Sequence, residues 1–138
     1  MSGEIRLKIH ASHGQLELVE KAIDEMAQLE QWPEELVFKV KLVVEDLGLN
    51  IIDHGYGNDE SQELEFRLVA ADDSVTIEFI DEASPFDPLT ETPDPDIDAG
   101  IEERRIGGLG VYLVREMMDE VKYAREGNRN RLTLVTRL

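Results

Sequence analysis

Two oxygen-bearing side chains, Asp46 and Asn50, lie one helical turn apart in the otherwise apolar stretch of residues 43–52. At about 100° per residue they are separated by only ~40° around a helix, whereas Glu45 points ~140° away from Asn50. Asn is a poor residue for a helix interior, because its amide competes for backbone hydrogen bonds, so this position needs a compensating role. Binding a hard cation through oxygen is one such role, and a solvated helix face is the simpler alternative.

Two later segments carry groups suited to an anionic ligand. Asp81 follows an alternating strand pattern and leads through Glu82 into residues 83–88, ASPFDP. Residues 106–111, IGGLGV, open a run with apolar residues at helical spacing. A Gly-rich turn that feeds a helix N-terminus favours anions, because free backbone N–H groups and the helix dipole both attract negative charge.

The stretches VVEDLGLNIIDHGYG, DEASPFDP and GGLGVYLVREMMDEV follow one another in this order. In sequence and spacing they resemble the N box and the two glycine boxes of the GHKL (Bergerat-fold) ATPases. More narrowly, they are similar to the anti-sigma factor serine kinases of the RsbW/SpoIIAB type. The resemblance covers nearly the whole chain. It implies a single histidine kinase-like ATPase domain over residues 1–138, with a mobile ATP-lid loop at about residues 83–106.

Hydrophobic periodicity predicts an α+β fold with helices on one face of a mostly antiparallel sheet. The resemblance narrows this to a two-layer α/β sandwich of the Bergerat type. Alternating apolar residues predict a first strand over residues 5–9 and a hairpin over residues 64–80. Helical spacing predicts a first helix, capped by Ser12, whose core stripe is Leu16, Val19, Ile23, Met26 and Leu29. The other predicted elements are a second helix from Pro33 to near Gly55, a third from Leu109 to Met118, and a last hairpin of residues 121–125 and 131–137.

The chain is strongly acidic, with 31 Asp and Glu residues against 14 Lys and Arg residues and a formal net charge of −17. Such a charge repels nucleic acid at long range and favours basic protein surfaces as partners, although acidity also serves solubility. The absence of cysteine excludes disulfides and thiolate metal sites. No apolar stretch approaches the ~20 residues of a membrane span, and the N-terminus lacks a signal-peptide core. We therefore expect a cytoplasmic protein with neither nucleic acid nor a membrane as partner.

The resemblance implies ATP and Mg²⁺ as cofactors. Asn50 would ligate Mg²⁺, and Asp81 would accept a hydrogen bond from the adenine amino group. A loop-capping role is the simpler alternative for Asp81. The other residues implied in nucleotide binding are Ala83, Phe86, Arg105, Gly107, Gly108, Leu109 and Gly110. The three glycines would let the backbone approach the phosphates, or they form a plain tight turn, and Arg105 is equally explained as a solvated loop charge.

The resemblance also implies a catalytic base four residues before Asn50, which here is Asp46. The family usually has Glu there, and the shorter Asp carboxylate falls back by ~1.5 Å, about one C–C bond, so it needs a water to reach the substrate. A second departure is Ala83, where the first glycine box normally has Gly. If that position requires a positive φ or a close approach to adenine, the added methyl group costs affinity.

The leading hypothesis is an ATP-binding anti-sigma factor and serine/threonine-protein kinase in a partner-switching system that regulates transcription. Its phosphoacceptor would be an anti-sigma factor antagonist of the STAS-domain type, with a sigma factor as a second partner, and the family implies a homodimer. The alternative is a Bergerat-fold protein-binding module that sequesters a partner with weak or no kinase activity. The catalytic domain of a two-component histidine kinase is disfavoured, because these 138 residues contain no phosphoacceptor-helix domain.

Overall fold

The computed structural model describes residues 3–85 and 114–138. The elements follow the order β1 (Gly3–His10), α1 (His13–Glu30), α2 (Glu34–Asn50), a one-turn π-helix (Ile51–Gly55), β2 (Glu63–Ala70), β3 (Ser74–Asp81), β4 (Glu120–Glu126) and β5 (Arg129–Arg137). Residues 114–117, just before β4, are also helical.

The five strands form one sheet in the order β1-β2-β3-β5-β4. All four pairings are antiparallel, which makes the predicted sheet correct. The chain returns after β3 to the far edge of the sheet, and the closing hairpin then inserts β5 between β3 and β4. The last residue of β3, Asp81, consequently lies directly opposite Asn130 of β5.

The core lies on the face of the sheet that α1 and α2 cover. Inward residues alternate with outward residues along β2 and β3, as expected for a sheet with one buried face. Phe66 and Phe79, on neighbouring strands, are fully buried and their ring centroids lie 5.5 Å apart. This single core makes α1 and α2 a fixed platform for the residues at the end of α2.

The predicted cap of α1 is confirmed, because the Ser12 hydroxyl accepts a hydrogen bond from the Gln15 N–H at 3.1 Å. The predicted core stripe is wrong at its last position. Leu29 is 84% exposed, and Ala27 is buried instead. The other four predicted core positions, Leu16, Val19, Ile23 and Met26, are buried as expected. Residue 29 lies ~140° from residue 16 around the helix, so its side chain points into solvent.

Helix α2 begins one residue later than predicted, because Pro33 is extended at ψ 153° and lies just outside the helix. Glu34 and Glu35 occupy the first turn, where their negative charges interact favourably with the positive end of the helix dipole. At Asn50 the α-helix gives way to the π-helix, so the helical chain does end at Gly55 as predicted. A π-turn contains one extra residue and is frequent at functional sites.

The third predicted helix is described only from residue 114 onward, where Val114 and Met118 are buried in the core. The start of this helix, and the part of the predicted lid from residue 86 to residue 106, lie outside the described residues. No helix in the described part of the chain is both long and apolar enough to cross a membrane.

Candidate functional site

Asn50 is the last residue of α2, where it is partly exposed. Within residues 3–85 and 114–138, no hydrogen bond or ion pair engages its side chain. A carboxamide in a helix interior usually bonds to nearby backbone or to solvent, so an unengaged amide oxygen at this position is available to an external ligand. The chemistry of that oxygen suits a hard cation such as Mg²⁺.

Asp46 lies one turn before Asn50 on α2 and is half-buried, whereas its neighbour Glu45 is exposed and lines a separate groove beside α1. The predicted separation of Glu45 from the Asp46 face is therefore confirmed. Burial raises the pKa of Asp46, and the negative charge of Glu45 raises it further. A carboxylate with a raised pKa is a better proton acceptor, which is the property that a general base needs.

Asp81 ends β3 and is only 6% exposed. Its Oδ1 accepts hydrogen bonds from the Asn130 side-chain amide at 2.9 Å and from the Ala83 backbone N–H at 3.0 Å. Burial raises the pKa of Asp81, although these two bonds and the charge of Arg125 oppose the shift. Oδ1 therefore plays the loop-capping role that the sequence left as the alternative. Oδ2 accepts no hydrogen bond from any described residue.

Asn130, Tyr123 and Arg125 of the closing hairpin form a hydrogen-bond network around Asp81 in which Asn130 is buried, Tyr123 is partly buried and Arg125 is exposed. The Asn130 side-chain oxygen accepts from the Tyr123 hydroxyl and from Arg125 Nη1, and Arg125 Nη1 also donates to the Ala83 carbonyl at 2.8 Å. Our sequence analysis missed all three residues. The available signal was that Asn130 begins the inward-facing alternation Asn130, Leu132, Leu134, Thr136, which puts a carboxamide where an apolar side chain is expected.

Tyr56, just after the π-helix, makes a further hydrogen bond to the chain that follows Asp81. Its hydroxyl donates to the Glu63 carbonyl at 2.8 Å and accepts from the Glu82 backbone N–H at 2.7 Å. Burial raises the pKa of Tyr56 above its usual value, so the phenol stays protonated and can donate. Tyr56 thereby ties the chain after Asn50 to the chain after Asp81.

A cavity of about 30 Å³ lies where these elements meet. Its walls include Ile51 and Gly55 of the π-helix, Asp81 with Ala83, and Asn130. A cavity of this size holds about one water and is too small for a purine. The structure thus brings Asp81 to the π-helix that immediately follows Asn50, although the two residues are 31 positions apart in sequence.

Ala83 is 7% exposed and its φ is not positive. Its methyl group lies 3.5 Å from the point where a side chain at Gly55 would begin. The backbone strain that would have followed from a positive φ at Ala83 is therefore absent. The methyl group does line the cavity, so its effect on a base bound there would be steric.

The other predicted nucleotide-binding residues, Phe86, Arg105, Gly107, Gly108, Leu109 and Gly110, lie outside the described residues. Close to the site, Asp53 accepts from the His13 ring at 2.8 Å and links the π-helix to the start of α1. Across the described ranges, no three His, Cys, Asp or Glu side chains are grouped so as to hold a metal ion by themselves. A cation at Asn50 would therefore need ligands from a bound anion and water, which is how Mg²⁺ usually binds.

Comparison with known protein families shows to which family this chain belongs. The model of the histidine kinase-like ATPase domain matches residues 9–136. The chain belongs to this family. The predicted resemblance to GHKL ATPases of the RsbW type is confirmed, since the serine-protein kinase RsbW of Listeria monocytogenes serovar 1/2a is 27% identical over 131 residues. That alignment covers 92% of this chain and 83% of the relative.

Solved structures of this ATPase fold agree with the observed architecture. A chain of the SiaB–SiaC complex from Pseudomonas aeruginosa superposes with a TM-score of 0.72 at 13% identity, covering 97% of this chain and 88% of that one. The RsbU and RsbW domains of Rv1364c from Mycobacterium tuberculosis give a TM-score of 0.63 at 14% identity over 99% of this chain. This chain spans about a third of that structure, 32%. The predicted α+β fold is confirmed.

Proposed function

We propose that this protein is an ATP-dependent serine/threonine-protein kinase and anti-sigma factor that phosphorylates an anti-sigma factor antagonist. The observation that carries the proposal is the pair on α2. Asn50 has a carboxamide that makes no hydrogen bond to any described residue, and Asp46, one turn earlier, is a carboxylate whose raised pKa suits proton acceptance. The family supports the use of ATP, and the relative named serine-protein kinase supports the type of acceptor.

In the proposed reaction, Asp81 Oδ2 accepts a hydrogen bond from the adenine amino group. The Asn50 amide oxygen would help to hold Mg²⁺, and the bound cation would neutralise phosphate charge. Asp46 accepts, through one water, the proton of the serine or threonine hydroxyl as that oxygen forms a bond to the γ-phosphorus. The bond between the γ-phosphorus and the bridging oxygen breaks, and ADP leaves. Phosphoryl transfer requires mainly positioning and charge neutralisation, so few protein groups suffice.

The proposed partners follow from the same assignment. The phosphoacceptor is a STAS-domain antagonist, and the partner held in the other state is a sigma factor, which places the protein in the cytoplasm. A neighbouring fold was crystallised as the SiaB–SiaC complex, which supports a protein partner for this architecture. The resemblance to the family supports a homodimer of single ATPase domains, in which the Gly-rich turn and Arg105 would contact the nucleotide phosphates.

Calorimetric titration with ATP tests the nucleotide site. We expect binding by the natural protein that depends on Mg²⁺, and at least tenfold weaker binding by Asn50→Ala, because the cation loses its protein ligand. Gln28→Ala is the matched control, since it removes an exposed carboxamide from α1. No binding at millimolar ATP, or equal binding by Asn50→Ala, would contradict the proposed site.

A phosphotransfer assay separates the kinase from the alternative, a protein-binding module with little activity. The short, half-buried carboxylate of Asp46 is the observation that favours that alternative. The natural protein and Asp46→Glu are incubated with Mg-ATP and a STAS-domain antagonist from the same organism, and phosphoserine and phosphothreonine are measured by mass spectrometry. Turnover by the natural protein supports the kinase. Turnover only by Asp46→Glu supports the binding module, and turnover by neither excludes the antagonist as substrate.

A further inference from the structure

A groove of about 570 Å³ runs between α1 and α2 on the side of α2 that carries Glu45. Its apolar lining consists of Val37, Phe38 and Leu42, all from α2. Phe38 is 65% exposed, and the other two are partly exposed. Single exposed apolar side chains are ordinary on protein surfaces, but here three of them share one concave surface that contacts no other described element closely enough to cover it.

The rest of the lining of this α1/α2 groove is charged, with Glu20, Glu34 and Glu45 against Lys41. Lys41 Nζ donates to Asp24 Oδ1 at 3.2 Å, so its charge is already paired with a carboxylate outside the groove. Burial raises the pKa of Glu20, and the charge of Glu45 raises it further, while Lys41 opposes the shift. The groove therefore combines apolar surface with a negative potential that a bound cation would relieve.

We propose that the α1/α2 groove docks an amphipathic helix of a protein partner whose apolar side chains are flanked by Lys and Arg. A helix placed in a groove buries its apolar face and anchors it through a few side chains, here against Phe38. Basic residues beside that face would pair with the three acids of the rim. A second copy of this chain is a poor occupant, because a symmetric contact would set the same acidic rims against each other.

The groove also lies close to the proposed catalytic base. Glu45, the last α2 residue in its lining, directly precedes Asp46, so the groove ends ~1.5 Å along the helix axis from Asp46 and ~100° around it. An occupant of the groove would thus lie beside the site without covering it. The docking proposal goes beyond the proposed function, because it requires neither nucleotide nor phosphoryl transfer.

The test uses the full chain, ¹⁵N-labelled, and a blocked amphipathic Leu/Lys peptide as the probe. A Leu/Glu peptide of the same length and pattern is the control peptide. Because the chain carries a net charge of −17, a basic peptide also adheres without a specific site, so the variants must separate the groove from general charge. Amide shifts locate the peptide, and titrations give the dissociation constant for each variant.

Two pairs of variants provide that separation. Phe38→Ala removes the apolar anchor, and Leu29→Ala removes an even more exposed apolar side chain from outside the groove. Glu20→Gln with Glu34→Gln removes two charges from the rim, and Glu25→Gln with Glu60→Gln removes two exposed charges elsewhere. Glu45 is left intact because its charge also acts on Asp46.

We expect the Leu/Lys peptide to shift the amides of residues 37–42 and to bind about tenfold more weakly to Phe38→Ala and to the rim variant, with both controls unchanged. The Leu/Glu peptide should not bind. The proposal would be overturned if the rim variant and its charge control weakened peptide binding equally, if the amide shifts spread over the whole surface, or if the peptide did not bind. If Phe38→Ala instead converts a dimer to a monomer in sedimentation, the occupant is a second copy and the proposal is wrong. ATP titration of the same variants keeps this result separate from the nucleotide site.

Discussion

The two carboxylate oxygens of Asp81 have different surroundings, and this difference allows a sharp test of its role. Oδ1 accepts from Asn130 and from the Ala83 N–H, and Oδ2 accepts from no described residue. An Asn at position 81 can keep the oxygen at Oδ1 and put an NH₂ group at Oδ2. The substitution therefore preserves the internal bonds and reverses only the group offered to a ligand.

We predict that Asp81→Asn binds ATP at least tenfold more weakly than the natural protein, about 1.4 kcal/mol, because two donors would face each other. Inosine triphosphate carries a carbonyl in place of the amino group, so it should lose much less affinity or gain it. Calorimetry with both nucleotides measures the change in preference. Equal losses for the two nucleotides would mean that Asp81 does not contact the base.

The same variant should not be less stable. Burial raises the pKa of Asp81, so the folded state holds this proton more tightly than the unfolded chain does. The contribution of Asp81 to stability is therefore lost as pH rises from the unfolded value through the raised folded pKa. We expect the melting temperature of Asp81→Asn to exceed that of the natural protein more at pH 7 than at pH 4. A lower melting temperature at pH 7 would show that the bonds to Oδ1 need the carboxylate.

Asp46 offers a second prediction at the residue scale. Burial is the main cause of its raised pKa, and the charge of Glu45 adds to it. Glu45→Gln should therefore lower the pKa of Asp46 but leave it above the usual value, and the acid limb of kinase activity should move to lower pH. Carboxyl ¹³C titration by NMR measures the pKa directly. Glu60→Gln, in an exposed loop, is the control, and an unchanged pKa in Glu45→Gln would mean that burial acts alone.

At the scale of elements, the close approach of α1 to α2 fixes where Asp46 and Asn50 lie. Gly48, between these two residues, permits the approach. A methyl group there would begin 2.7 Å from Leu16 Cδ1 and 3.1 Å from Leu16 Cδ2, and Leu16 is itself only 3% exposed. Since a buried Leu side chain has little room to move, either α1 or α2 must shift to admit it.

We predict that Gly48→Ala lowers the free energy of unfolding by about 1 kcal/mol, because overpacking of ~2 kcal/mol outweighs the ~1 kcal/mol that Ala gains in a helix. Chemical denaturation measures this change. Gly14→Ala is the matched control, since nothing lies within 4 Å of a methyl group there and α1 contains that residue. Gly14→Ala should be neutral or stabilising. Stabilisation by both substitutions would show that Leu16 yields without cost.

At the scale of the whole molecule, the net charge of −17 opposes compaction. Ion pairs at the surface, such as Arg6 with Glu4 at 2.9 Å, stabilise the fold only weakly because both partners are exposed. We predict that raising NaCl from about 10 mM to about 500 mM increases the melting temperature, because screening of the overall repulsion outweighs the loss of such pairs. Thermal melts at several salt concentrations check this. A steady decrease would mean that the ion pairs dominate.

Local sequence patterns predicted most of the fold correctly. Alternation in residues 64–80 identified β2 and β3, and helical spacing located α1 and α2, because the faces of an element are set by periodicities of 2 and 3.6 residues. Leu29 was misplaced because a stripe drifts around a helix after several turns, and only packing shows where it ends. The separation of Asp46 from Glu45 was predictable because it depends on helix geometry alone.

By itself, then, the sequence determined the family, the α+β class and the face of α2 that carries Asp46 and Asn50. Only the tertiary structure decided what surrounds Asp81. Its bond to Asn130 joins residues 49 positions apart, and no local pattern encodes such a pairing, because it depends on β5 inserting beside β3. The tertiary structure likewise decided which oxygen of Asp81 the described residues engage, since hydrogen bonding to Oδ1 requires the closing hairpin and the turn after β3 to meet in the folded chain.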